Sequence, residues 1–274
     1  MVAQSLSTTV TLNNGVRMPI LGLGVFKVPD EETYRVVTEA LEIGYRHIDT
    51  AAYYQNERGV GRAVGDSGLR REDIFVTTKV WYNEHGRKET LAAFDRSLEA
   101  LGLDYVDLYL VHWPREGRME AWKAMERILD EGRARAIGVS NYLVRHLDDT
   151  IARSPVVPAV DQVEFSPFLY QKELLSYCRS RGIVLEAYSP LARGRRFDDP
   201  RLVKLASKYG RTPAQMMLRW VLQKGMVAIP KSAHPERMRE NASVFDFEIS
   251  AEDEATMDRF DEGYHTTWDP ESIP

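Results

Sequence analysis

The sequence has a single cysteine, Cys178, in 274 residues. That excludes an internal disulfide and any metal site built on several thiolates, and it suits a reducing compartment. No uninterrupted apolar run approaches the roughly 18 residues that would suggest a membrane-spanning helix. The stretch Met1 to Val10 lacks both the positive start and the apolar centre of a secretory signal, so a cytoplasmic protein is expected. Basic charge is not in excess: 36 Lys plus Arg against 41 Asp plus Glu leave a formal net charge of −5. This argues against nucleic acid as a partner, which would want a basic face. The glycine fingerprint of a Rossmann turn is missing as well. Gly59, Gly61 and Gly65 have the wrong final interval and do not closely follow a strand. No low-complexity linker or break in composition divides the chain, so residues 1–274 are read as one domain.

What is present is a repeated phrase: an amphipathic helix, a glycine, then a short apolar strand. Tyr34, Val37 and Leu41 recur at helical spacing after Pro29 and an expected Asp30 N-cap, and Gly44 ends the run. Leu91, Phe94, Leu98 and Leu101 lead to Gly102, and Trp122, Met125 and Leu129 lead to Gly132. Gly182 and Gly225 punctuate two further units. Glycine just past a helix supplies the left-handed C-cap that other residues adopt poorly. Eight strands are expected, at Leu21–Phe26, Arg46–Ala51, Ile74–Val80, Val106–His112, Ala134–Ser140, Ala159–Phe165, Ile183–Ser189 and Met226–Ser232. Their apolar, β-branched content fits a parallel sheet buried on both faces. Eight βα units in about 250 residues predict a closed (β/α)8 TIM barrel, with an open doubly wound sheet as the alternative. Ahead of them, Asn13-Asn14-Gly15 predicts a hairpin turn, giving an N-terminal β-hairpin that caps the barrel floor.

Polar residues cluster where these strands end, which in a barrel is the functional rim. Asp49 with Tyr54 just beyond, Lys79, His112, Ser140 and Asn141, Tyr188 and Ser189, and Lys231 and Ser232 all fall there, while Gln162 sits in mid-strand. Any one could be a structural polar group; as a set they point to a site.

These residues carry a resemblance. Gly44 through Asp49 to Tyr54 and Glu57, Thr78-Lys79-Val80-Trp81, and Asp107 through His112 to Pro114 resemble the aldo-keto reductase family. So do Gly138-Val139-Ser140-Asn141, Gln162-Val163-Glu164, Ala187 through Leu191, and Ile229-Pro230-Lys231-Ser232. The match runs from the hairpin to about Phe247 in the family's order and spacing, and its texture is that of short prokaryotic members such as the 2,5-diketo-gluconate reductases.

Carbonyl reduction needs a hydride at carbon and a proton at oxygen. A tyrosine can give the proton, but its reference pKa of about 10 is high for the task. A nearby ammonium is expected to lower it, and Lys79, held by Asp49, is suited to that. His112 can orient the substrate oxygen. The resemblance implies the same roles, with Tyr54 as proton donor and Asp49, Lys79 and His112 completing a tetrad. Tyr53 is read as packing or lining the pocket. His47, sharing a strand face with Asp49, is read as structural, and no metal is expected because further ligands are lacking.

The resemblance further implies a nicotinamide across the barrel mouth. Tyr188 would stack on it, Ser140, Asn141 and Gln162 would bond its carboxamide, and Ser189, Leu191 and Ala192 would follow the pyrophosphate; the loop Arg193-Gly194-Arg195-Arg196 is basic enough to help there, or its arginines form a solvated charged loop. Lys231 and Ser232, followed by Pro235 opening a helix, place two donors at a helix N-terminus, an anion site. Arg237 can add bidentate contacts to a phosphate. In the family this segment grips the adenosine 2′-phosphate, so NADPH is favoured, with Glu240 and Asn241 at the adenine. Lys231 and Arg237 could instead pair with acidic neighbours. Asp161 stands where many relatives have Asn, and a carboxylate there could alter cofactor contacts. Trp81, Trp113 and Phe26, with Trp268, are expected to line the substrate pocket, which the short segment Gly263 to Pro274 should leave open.

The expected function is an NADPH-dependent reductase of small aldehydes, ketones or α-dicarbonyls, keto-sugars and methylglyoxal included, acting as a monomer. Two other classes stay open. A cofactor-sensing regulatory protein would bind NADPH with little turnover. A metal-dependent barrel hydrolase would be inactivated by chelators.

Overall fold

The computed structural model describes residues 5–273; Met1–Gln4 and Pro274, the outer ends of the two terminal segments read above, lie outside them. Two short strands, β1 (Thr9–Thr11) and β2 (Arg17–Pro19), pair antiparallel. Then come β3 (Leu23–Gly24), β4 (His47–Asp49), β5 (Phe75–Val80), β6 (Val106–Val111), β7 (Ala134–Ser140), β8 (Val160–Glu164), β9 (Val184–Tyr188) and β10 (Val227–Ile229). These eight pair in parallel and in chain order. Bridges Leu21↔Ala228 and Gly24↔Lys231 join first strand to last, with Gly22 N donating to Ala228 O at 2.9 Å and Ala228 N to Ile20 O at 2.9 Å. The sheet closes on itself, so the barrel expectation holds and the open-sheet alternative falls. The β3 strand is shorter than the sequence pattern because that seam is held by isolated bridges.

Around the barrel lie α1 (Asp30–Ile43), α2 (Glu57–Asp66), α3 (Arg87–Leu101), α4 (Arg118–Asp130), α5 (Val144–Arg153), α6 (Lys172–Ser180), α7 (Pro200–Tyr209), α8 (Pro213–Gln223), α9 (Pro235–Ala242) and α10 (Ala251–Asp258). Gly44, Gly102, Gly132, Gly182 and Gly225 all have positive φ, as their role in ending helices requires. Asp30 is not the N-cap. Pro29 takes that place, and the Asp30 carboxylate instead accepts from Gly59 N at 3.2 Å, tying α1 to α2.

Alternation along the strands divides the side chains into two sets. Val76 and Val80, Tyr109 and Val111, Ile137 and Val139, and Leu185 and Ala187 face the helices and join the main core. The opposite set points inward. At the floor it is apolar, where Phe75, Leu108, Leu110, Ala136, Val160 and Val227 cluster with Leu12 and Met18 of the hairpin segment. Asn13 and Asn14 fasten the turn to the floor loops, donating to Pro158 O at 3.1 Å and Arg135 O at 2.9 Å. The hairpin therefore plugs the floor, as expected. One step up the barrel, the inward set turns polar.

Candidate active site at the barrel mouth

A cavity of about 1370 Å³ opens at the C-terminal ends of the strands. Among the expected residues, Phe26, Asp49, Tyr54, Trp81, His112, Trp113, Ser140, Asn141, Gln162, Tyr188, Ser189, Leu191, Lys231, Ser232, Arg237, Glu240 and Asn241 line it. Two do not. Lys79 lies beneath the surface with no exposure, and Ala192, at φ +47 in the loop after β9, buries its methyl group in the core.

The inward positions of β4 and β5 bring Asp49 and Lys79 together. Lys79 Nζ donates to Asp49 Oδ1 at 2.7 Å and to the Thr50 carbonyl at 2.8 Å. Its distance to the Tyr54 hydroxyl is longer, 3.5 Å. Tyr54 comes from a short turn after β4, Ala52–Tyr54, which is anchored below: Thr50 Oγ1 donates to Asn56 Oδ1 at 2.7 Å, and Asn56 Nδ2 donates to Val25 O at 2.9 Å and Val28 O at 3.0 Å. The ring packs 4.9 Å from Phe26 and 5.7 Å from His112.

The electrostatics of Tyr54 run opposite to expectation. Burial first, then the charges of Asp49 and Glu186, hold its hydroxyl well above the ordinary tyrosine value. Lys79 makes its short contacts with Asp49 and Thr50 and lies farther from the Tyr54 hydroxyl, so burial and the Asp49 charge decide the resting state. Tyr54 therefore rests protonated. His112 is held well below its ordinary value by burial and then by the Lys79 charge, so its imidazole is neutral. Its Nδ1 is buried without a partner. Orphaned buried N–H groups are rarer than under-satisfied buried acceptors, which favours the proton on Nε2 as a donor.

The expected carboxamide ligands are bonded to one another first. Ser140 Oγ donates to Gln162 O at 2.7 Å, and Asn141 Nδ2 donates to His112 O at 3.0 Å and Ser140 Oγ at 3.1 Å. Asn141 Oδ1 accepts from the Tyr188 hydroxyl at 2.7 Å, which fixes the Tyr188 ring at the mouth. Spare lone pairs on Ser140 Oγ and Asn141 Oδ1 suit the amino group of a carboxamide. Gln162 Nε2 points down, donating to Asp49 Oδ2 at 2.7 Å and Glu186 Oε2 at 2.8 Å.

At the far end of the cavity stand Lys231 and Arg237. Among the described residues neither forms an ion pair with an acidic side chain, and Lys231 is lowered by burial first and then also by Arg237. The Glu32 charge acts on Lys231 in the opposite sense, but it makes no direct ion pair with Lys231, and two neighbouring cations left without one fit an anion such as a phosphate. Arg193 and Arg195 also line the cavity, whereas Arg196 pairs with Glu262 at 2.9 Å. Glu240 accepts from Thr212 Oγ1 at 2.6 Å, so its carboxylate is already engaged. Ser232 Oγ donates to His234 O at 3.1 Å within the turn that leads to α9.

Several mouth residues escaped the sequence reading. Lys27, Phe197, Thr212 and the run His265 to Thr267 line the cavity, next to the expected Trp268. The tail is strapped on: Thr266 N donates to Glu164 Oε1 at 2.8 Å, and Arg145 reaches Glu271 at 2.8 Å and Ile273 O at 2.9 Å. Trp268 packs 5.6 Å from Trp113. The pocket is thus walled on this side, and the expectation of an open one is corrected. Tyr53, 49% exposed, stacks on Trp81 at 3.9 Å and lines the opposite wall. Asp161 faces outward from β8, its Oδ1 3.4 Å from Tyr142 N, and does not line the cavity. It cannot touch a ligand there. Glu186 was also missed, although it stands two residues before Tyr188 just as His47 stands two before Asp49. Among the described residues no group of three or more His, Cys, Asp or Glu is arranged to hold a metal ion, and no helix is long and apolar enough to cross a membrane.

Comparison with known proteins agrees with this geometry. The model of the aldo/keto reductase family matches residues 20–262. The glyoxal reductase of Bacillus subtilis is 51% identical over 259 residues, covering 94% of this chain and 93% of that protein. The morphine 6-dehydrogenase of Pseudomonas putida is 47% identical over 283 residues, covering 97% and 96%. A Bombyx mori aldo-keto reductase, solved in complex with NADP, superposes with a TM-score of 0.92 at 34% identity over 99% of both chains.

Proposed function

Because the chain belongs to the aldo/keto reductase family, we propose that it is an NADPH-dependent reductase of small aldehydes, ketones and α-dicarbonyls, with Tyr54 as proton donor. The observation that carries this reading is the pairing, in one cavity, of a protonated Tyr54 and a neutral His112 at one end with Lys231 and Arg237, neither in a direct ion pair among the described residues, at the other. The cavity fits the cofactor by its donor set: cations for a phosphate, a held aromatic ring at Tyr188, and acceptors on Ser140 and Asn141 for an amide. Reduced nicotinamide, when bound, supplies the hydride to the carbonyl carbon. The chain supplies the rest. His112 Nε2–H donates to the substrate oxygen and orients it. Tyr54 gives its proton to that oxygen as negative charge develops. Lys79 lies 3.5 Å from the resulting phenolate and stabilises it, while Asp49 compensates the buried ammonium before and after transfer. Tyr53, Trp81, Trp113 and Trp268 form aromatic walls beside the reacting atoms.

The likeness to a glyoxal reductase makes α-dicarbonyls the first substrates to test. The free Cys178, buried in the core, supports a reducing, cytoplasmic setting. We read residues 1–274 as a single catalytic unit, a monomer, with cofactor and substrate both at the C-terminal mouth. NADPH consumption followed by absorbance tests the reading, with glyoxal, methylglyoxal, simple aldehydes and keto-sugars as substrates and NADH as the competing donor. Turnover by the wild type is expected, and Tyr54→Phe should lower it by about 10²-fold or more while NADPH still quenches the protein's tryptophan fluorescence. NADPH binding without turnover on any carbonyl would favour a sensor; no binding at all would overturn the proposal.

A further inference from the structure

Below the mouth the barrel interior holds a second acid that the chemistry above does not use. Glu186, on β9, is fully buried. Its Oε2 accepts from Gln162 Nε2 at 2.8 Å, and the same amide nitrogen donates to Asp49 Oδ2 at 2.7 Å. One amide group therefore bridges two carboxyl groups. The charged or titratable side chains facing Glu186 are few: Asp49 and His47 from β4, Lys79 from β5, and Tyr54 above. Lys79 is the single cation among them, and its direct contact is with Asp49 at 2.7 Å. His47, with Nε2 3.6 Å from Glu186 Oε1 and 3.3 Å from Thr77 Oγ1, is lowered to about 3, chiefly by burial, so it adds no charge near neutrality. Two carboxylates and one ammonium would leave the dry interior with an uncompensated negative charge. The arrangement resolves this by leaving a proton on one acid. Asp49 has the ammonium, so Glu186 keeps the proton.

Resting on the reductase reading above, we propose that Glu186 is a positioning residue for Tyr54: as a neutral acid it holds Gln162, and through it Asp49 and Lys79, and its ionisation shuts reduction down on the alkaline side. Burial is the main force raising the Glu186 carboxyl, to about 8, with the Asp49 charge adding to it. Once ionised, Glu186 opposes a phenolate on Tyr54, which makes Tyr54 a poorer acid. It also repels Asp49 across the shared amide and loosens the grip on Lys79. Gly22 belongs to the same arrangement. A Cβ there would come within 2.7 Å of the His47 ring, so glycine leaves the room that lets His47 lie inside the barrel beside Glu186.

The test is the pH dependence of kcat for NADPH reduction of 4-nitrobenzaldehyde, wild type against Glu186→Gln. A glutamine can accept the same Gln162 hydrogen bond but cannot ionise. The wild-type rate should fall with a midpoint near 8, by about tenfold between pH 7 and pH 9, and Glu186→Gln should keep its neutral-pH rate over that range. A second readout uses the wild type alone. Difference infrared spectra should show the carbonyl stretch of a protonated buried carboxyl at pH 7 that fades as pH rises through 8. A wild type that turns over nothing would overturn the reductase reading. A wild type that reduces the aldehyde but shares its alkaline limb with Glu186→Gln, or lacks the carboxyl band, would overturn the Glu186 role alone.

Discussion

A lysine with no exposure survives in this barrel because its charge is met on two sides, by Asp49 at 2.7 Å and the Thr50 carbonyl at 2.8 Å. Removing one member of a buried pair costs more than the pair contributes, since the other charge is left without compensation. Asp49→Asn should therefore destabilise the fold by about 3–5 kcal/mol, read as a lowered urea midpoint, alongside its loss of reductase activity. At this scale much of the site was legible. Asp49, Lys79, His112, Ser140 and Asn141 are polar residues where apolar strands end, and a closed barrel leaves such residues little choice but the rim. Glu186 was not legible by that logic, because in Val184-Leu185-Glu186-Ala187-Tyr188 a lone carboxylate looks solvent-facing. Only its even spacing from Tyr188 betrays the inward direction. The lowered tyrosine was misjudged for a related reason: sequence shows that a lysine is near but not which atoms it contacts.

Between elements, the tightest constraint lies where α2 crosses α3. A Cβ on Gly61 would come within 1.8 Å of the Leu101 carbonyl oxygen, a backbone atom that cannot turn aside. Although alanine is the better helix former, Gly61→Ala should lower stability by roughly 2–3 kcal/mol through overpacking, visible as a lower melting temperature. The spacing of Gly59, Gly61 and Gly65 argued against a Rossmann turn, and Gly59 and Gly61 serve helix packing, with Gly59 against Thr33 and Gly61 against Leu101. Helix ends marked by glycine were read correctly because the left-handed cap is a local requirement. Helix α7 was not foreseen, although Asp199 caps it and Pro200 opens it. It interrupts the one-strand, one-helix rhythm, and a reader following that rhythm passes over it.

Over the whole molecule, the buried acid links proton binding to folding. Glu186 moves from an ordinary value of 4.5 to about 8 on folding, so between those values the folded chain holds a proton that the unfolded chain has released. Stability from this residue is thus full below 4.5 and is lost as pH rises through 8. Each tenfold change in proton affinity is worth about 1.4 kcal/mol, which for a chain of this size is roughly 3 °C in Tm. The melting temperature of Glu186→Gln relative to wild type should rise by at least that much between pH 5 and pH 8.

The hairpin at Asn13 and Asn14 and the tail at Trp268 stand at opposite ends of the same barrel. A linker to a bead or an electrode attached through the hairpin turn leaves the mouth facing the bulk solution, where reactant and spent cofactor exchange freely. The same linker on the tail pulls against the strap that forms one wall of the cavity. For immobilising this enzyme, the end chosen for attachment decides whether the support or the solution sees the catalyst.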